Sequence, residues 1–100
     1  MRVSAEFEDI LPAYLAERRH EASEMQRVLA SGDLERARAF GLKLKATGTA
    51  FGLEELSRLG GILESAAKLG PVAVVRGIAD RVEMYLVRIE VFFEPAERAP

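Results

Sequence analysis

His20 is the only imidazole in the chain, with Glu17, Glu21 and Glu24 at helical reach of it and Arg18 and Arg19 directly before it. A general base, a phosphate carrier or a metal ligand needs such a ring to have an orienting partner and a pocket. At about 100° per residue, His20 lies roughly opposite the apolar positions Leu11, Leu15 and Leu29, so it is expected in solvent with neither. Glu17 and His20 form a Glu-x-x-His pair of the kind carboxylate-bridged metal bundles use. Both fall away from the apolar side, however, and the sequence has no second such pair. One exposed His cannot build a Ser-His-Asp arrangement, the absence of Cys removes thiolate chemistry, and no glycine-rich loop follows a strand to hold a nucleotide. The chain is therefore read as a non-enzyme with no catalytic residue, no metal and no cofactor.

The elements that would position any site are marked by Gly and Pro. A first helix is expected from Asp9-Ile10-Leu11-Pro12, with Asp9 as cap candidate and Pro12 in the first turn, to Ser31-Gly32. A second starts at Asp33, with Glu35 favourable in its first turn, and runs to about Thr49 before Phe51-Gly52 breaks it. A third runs from Leu53 to Leu69 and stops at Gly70-Pro71, and a fourth continues to about Glu94, where Pro95 closes it. Apolar residues recur at three- to four-residue steps in each: Leu11, Leu15, Ala22, Met25 and Leu29; Leu34, Ala37, Gly41, Leu44 and Gly48; Leu53, Leu56, Leu59, Leu63 and Ala66; Val75, Ile78, Val82, Tyr85, Ile89 and Phe92. No piece shows the alternation of a strand. Such helices bury their stripes only against one another, which predicts an all-α fold: an antiparallel four-helix bundle forming one domain over residues 1–100, its core at about 10–94.

Leu42 is out of place in that scheme. With the inner face of the second helix on Ala37, Gly41, Leu44 and Gly48, Leu42 falls well over 100° away, on the side of Arg38, Lys45, Ala46 and Thr49. A branched apolar side chain is expected there in solvent, with cations beside it and small residues that leave the surface flat enough for another protein to approach.

The run Gly41-Leu42-Lys43-Leu44-Lys45-Ala46-Thr47-Gly48-Thr49-Ala50-Phe51-Gly52-Leu53, then Glu55-Leu56-Ser57-Arg58-Leu59-Gly60 and Leu63-Glu64-Ser65-Ala66-Ala67, resembles the histidine phosphotransfer (HPt) domain family. That family's pattern is His-x-x-Lys-Gly, small residues, Gly-Leu, and a leucine-patterned helix ending in a Leu-Glu-x-Ala segment. The turn Ala30-Ser31-Gly32-Asp33 resembles the loop before the family's active helix, and the likeness spans about residues 10–92. It implies a four-helix bundle of two-component phosphorelay signalling. Placing Lys45 on the family's Lys and Gly52 on its later Gly puts Leu42 at the phosphoacceptor position and Ala46 where glycine is usual. In the family an imidazole nitrogen attacks an aspartyl phosphate on a receiver domain. Leucine has no lone pair for that step. The resemblance thus implies a degenerate member, a pseudo-phosphotransfer module whose partner-binding residues are Arg38, Leu42, Lys43, Lys45, Ala46, Thr49 and Gly52, and whose partner is a receiver (response-regulator) domain or a histidine kinase.

Composition sets the outer limits. Over 100 residues, 14 Lys+Arg stand against 16 Asp+Glu, with 49% apolar residues and a formal net charge of −2. This is an ordinary globular balance, not a polycation for phosphate backbones. Arg18, Arg19, Arg36 and Arg38 are interspersed with acids and read as solvated faces, so no nucleic-acid partner is expected. No apolar run approaches the roughly 20 residues of a membrane span, and the charged N-terminal stretch does not read as a signal peptide, so a cytoplasmic location and no membrane partner are expected. Two other functions stay open at this point. One is phosphotransfer on His20, or descent from a His parent at position 42. The other is a helical homo-oligomer joined through Leu42 and an apolar end of the fourth helix, Val91, Phe92 and Phe93.

Overall fold

The computed structural model describes residues 2–89 and 91–94, the side chains of residues 2 and 92–94 excepted. Within them the chain forms α1 (Leu11–Ala30), α2 (Leu34–Ala50), α3 (Glu54–Leu69) and α4 (Val72–Arg88), packed as the expected four-helix bundle. A 3₁₀ turn, Ala5–Phe7, leads into α1, and two short strands, β1 (Arg2–Ser4) and β2 (Phe92–Glu94), pair in parallel with Val3 opposite Phe93.

Local chemistry accounts for most boundaries and corrects three expectations. Pro12 lies in the first turn of α1, but Asp9 does not cap it; Ile10 precedes the helix without a side-chain bond. The chain instead enters α1 straight from the 3₁₀ turn, through Glu8 N–H to the Ala5 carbonyl at 3.0 Å and Ile10 N–H to the Phe7 carbonyl at 3.2 Å. At α2 the Asp33 carboxylate does accept from the Arg36 N–H, at 3.2 Å. The fourth helix ends at Arg88, not near Glu94, and Ile89 is already extended. Its β-branched and aromatic successors favour extended backbone, and they find a strand partner in the chain's first residues. The expectation of no strand therefore holds for the helical pieces and fails at the two ends. Val91, expected on an apolar helix end, is partly buried against the core instead, and the side chains of Phe92 and Phe93 lie outside the described residues.

The core follows the sequence stripes. All five apolar α1 positions are buried, as are Ala37, Gly41, Leu44 and Gly48 of α2 and Leu53, Leu56, Leu59 and Leu63 at α3. Ala67, not Ala66, continues the α3 stripe, Phe40 joins that of α2, and α4 buries Val75, Ala79, Val82 and Leu86 while Ile78, Tyr85 and Ile89 flank them half-buried. Each fully buried Leu or Val removes enough apolar surface from water to stabilise the fold by about 1.5–3 kcal/mol.

The four helices do not meet alike. α2 and α3 form a hairpin in which backbone nearly touches backbone. A Cβ placed on Gly41 would lie 2.6 Å from both the Glu64 nitrogen and the Gly60 carbonyl oxygen, and one on Gly60 would lie 2.7 Å from the Gly41 oxygen. α1 is joined to α4 by longer arms: Gln26 donates to the Asp80 carboxylate at 2.7 Å, and Arg19 donates to the Leu86 carbonyl at 2.7 Å. Between α1 and α2 runs an open groove of about 370 Å³, lined in part by His20, Glu24, Met25, Arg36 and Phe40.

Candidate functional site

Arg38, Leu42, Ala46 and Thr49 follow one another at steps of four, four and three, so the α-helical repeat sets them in one row on the outer side of α2. Leu42 is 45% exposed, whereas Leu44, two residues on, is fully buried. Ala46 and Thr49 are exposed beside it and Arg38 is half-buried. Because α2 is pinned against α3 by the glycine contacts, this row is presented by backbone with little room to shift.

The cations of this face are all engaged. Arg38 holds Glu35 one turn back, its Nε 3.2 Å from both carboxylate oxygens. That contact, first through hydrogen bonding and then through charge, holds the Glu35 carboxyl below its ordinary range and raises the Arg38 guanidinium above its own. Lys43 reaches away to α1 and pairs with Glu21 at 2.9 Å. Lys45 leans the opposite way to α3, where Glu64, only 9% exposed, stands 3.9 Å from it and 3.9 Å from Lys68. The two lysines expected together beside Leu42 are therefore divided between the neighbouring helices.

Polar contacts to α3 fix the far end of the row. The Lys45 carbonyl accepts from Thr49 Oγ1 at 3.0 Å and from Ser57 Oγ at 2.7 Å, with the two hydroxyls 2.8 Å apart. Gly52 does not join the row. It sits past the end of α2 at φ +76°, a left-handed turn that favours glycine, and ten residues of helical rise put it about 15 Å from Leu42. Its part is to close the α2–α3 turn, through Gly52 N–H to the Thr49 carbonyl at 3.0 Å.

On the α1 side the structure corrects the solvated-face reading of Arg18 and Arg19. Arg18 is buried: it meets Glu21 as an ion pair out of hydrogen-bond alignment, donates to Glu17 at 3.2 Å, and lies 5.0 Å above the Tyr14 ring. The Tyr14 hydroxyl bonds Thr47 of α2, and its ring packs on Phe51, which in turn meets Phe7 edge-on. Burial pushes the Tyr14 phenol up, with the Thr47 bond and the Arg18 charge partly offsetting it. A signal for Arg18 was present, since it occupies the missing step between Leu15 and Ala22 on the α1 stripe. Its long aliphatic stem fills that step.

His20 is exposed on the rim of the α1–α2 groove, as its helical position predicts. Among the described residues no group of three or more His, Asp or Glu side chains is placed to hold a metal ion, and no helix is long and apolar enough to cross a membrane. Chemically, the row on α2 offers an apolar anchor on a flat, charge-paired surface, with no imidazole in it. No family model matches the chain, and no curated protein or solved structure matches it either.

Proposed function

We propose that the chain is an HPt-like signalling module that docks a receiver domain through the outer face of α2 and does not exchange phosphate. The observation that carries this reading is Leu42, exposed at the position where the resemblance puts the acceptor histidine, with Lys45 three residues on and Ala46 and Thr49 leaving the surface low around it. Transfer needs a ring nitrogen to attack the phosphorus while the P–O bond to the receiver's aspartate breaks. Leucine supplies no electron pair for the new bond, so approach in that pose ends in contact alone. His20 projects from α1, not from the α2 row, and has none of the motif around it.

Incubation with a receiver domain carrying radiolabelled phosphate tests the loss of chemistry. The expected result is no label on the wild-type chain and label on Leu42→His, since Lys45 and the small residues remain. Label on the wild type that disappears in His20→Ala contradicts it. Docking is tested by titrating receiver domains from the same genome, and absence of binding by all of them at high micromolar concentration overturns the reading.

A further inference from the structure

Exposed apolar side chains are not spread evenly over the bundle. Of the six large ones among the described residues, four belong to α4 or to the turn that leads into it: Leu69, Val74, Met84 and Val87. Ala73 and Gly77 keep the strip between them low, and a carbon added to Gly77 meets nothing within 4 Å. At about 100° per residue, Ala73, Arg76, Asp80, Met84 and Val87 share one edge of this outer face, while Val74 and Arg81 lie along the other.

Charge decides what can cover it. Every ion pair among the described residues joins groups of α1, α2 and α3, so Arg76, Asp80 and Arg81 of α4 enter none. Asp80 accepts from the Gln26 amide, which leaves its charge uncompensated. An acidic partner meets Asp80 as a like charge, and a basic one meets Arg76 and Arg81. A second copy of the same face, turned end for end, meets neither problem. Arg76 and Asp80 stand one helical turn apart on the same edge, so a two-fold axis level with the middle of that turn brings each Asp80 beside the partner's Arg76. The same placement lays Met84 over the partner's Ala73, Val87 against the partner's Leu69, and the stem of Arg81 along the partner's Val74.

We propose that two copies of the chain associate through the outer faces of α4 as an antiparallel, two-fold dimer. The proposal stands apart from the docking reading: α4 packs on α1 and α3, diagonally across the bundle from α2, so the two Leu42 rows face away from each other and stay open. One helix per copy is a small interface, and the dissociation constant expected is on the order of 10–100 μM.

Sedimentation equilibrium of the full chain from about 5 μM to about 0.5 mM tests it, with a monomer–dimer equilibrium in that range as the expected result. Met84→Glu, at an exposed position, is expected to leave a monomer throughout while circular dichroism shows the helices intact. Asp80→Arg and Arg76→Asp each set like charges opposite one another and are expected to weaken association at least about tenfold. An equimolar mixture of those two variants is expected to associate again, to within about threefold of the wild type, because each offers the other the opposite charge. Recovery in the mixture also shows that both variants fold. A dimer indifferent to these changes, or a mixture that stays monomeric, overturns the proposal. A wild-type chain that remains monomeric to about 0.5 mM overturns it as well, and sedimentation of that monomer with phosphatidylglycerol vesicles assigns the face to an anionic lipid surface instead.

Discussion

The α2–α3 hairpin and the α1 face that leans on it are held by different physics. In the hairpin, glycines let two backbones approach until a single added carbon has nowhere to go. Across α1 and α2 the contacts are made by side-chain tips: Tyr14 on Thr47 and Lys43 on Glu21. Backbone contact is unforgiving, because neither partner can rotate away; side-chain contact is adaptable, because water and neighbouring groups can replace a lost arm. The exposed row with Leu42 belongs to the rigid half. Its surroundings can thus change chemically without the platform moving.

The comparison breaks most visibly at the glycines. Gly41→Ala or Gly60→Ala must push α2 from α3 against backbone atoms, and a loss of about 3 kcal/mol is expected, read as a lowered denaturant midpoint. Gly77→Ala, where an added carbon meets nothing within 4 Å, is the control, and there a gain of about 0.5–1 kcal/mol is expected from helix propensity. A large loss at Gly77, or none at Gly41 and Gly60, contradicts the close-approach account.

On the adaptable side, Arg18→Met keeps the aliphatic stem and removes the charge. Glu21 is left with Lys43 and partial access to water, so a loss of about 1–2 kcal/mol is expected, less than for a sealed pair. Paired with Glu21→Gln, the double variant is expected to lose less than the sum of the two singles, which a thermodynamic cycle measures.

Alkaline pH probes two half-buried phenols more gently, Tyr14 on that side and Tyr85 on α4. Burial raises the phenols of both Tyr14 and Tyr85 from their ordinary 10.0, with the Glu55 charge adding to the rise at Tyr85. The unfolded chain then ionises first and the folded chain holds more protons. Stability is therefore fully present below about pH 10 and is lost as pH rises through the folded values. Tyr14→Phe and Tyr85→Phe together are expected to flatten that decline in a denaturation series from about pH 8 to about pH 11.

Much of this was legible from residue spacing. The five buried α1 positions and the fully buried Leu44 beside the exposed Leu42 follow from about 100° per residue and need no knowledge of neighbours. What spacing cannot carry is the identity of the neighbour. The strand pair joins opposite ends of the chain, so neither end shows the pairing by itself. Lys43 and Lys45 look equivalent along α2 and are separated only by which helix lies on each side. Arg18 was misread because its type suggests water while its place in the stripe and the Tyr14 ring bury it. Phe40 extends the α2 stripe in the same way, as the ring beside Gly41.

The smallest expected effect on folding is at Leu42 itself. Leu42→Ala removes little buried surface, so stability is expected to change by less than about 0.5 kcal/mol by chemical denaturation. A larger change would mean that the side chain belongs to the core.

Amide chemical shifts, followed while a receiver domain is added to isotope-labelled chain, report most directly on whether the outer face of α2 is the one that meets a partner. The changes are expected to cluster on Arg38, Leu42, Ala46 and Thr49, and to fade when position 42 is alanine. Changes confined to α4 or to the rim around His20, or unaltered by that substitution, would show that Leu42 is a bystander.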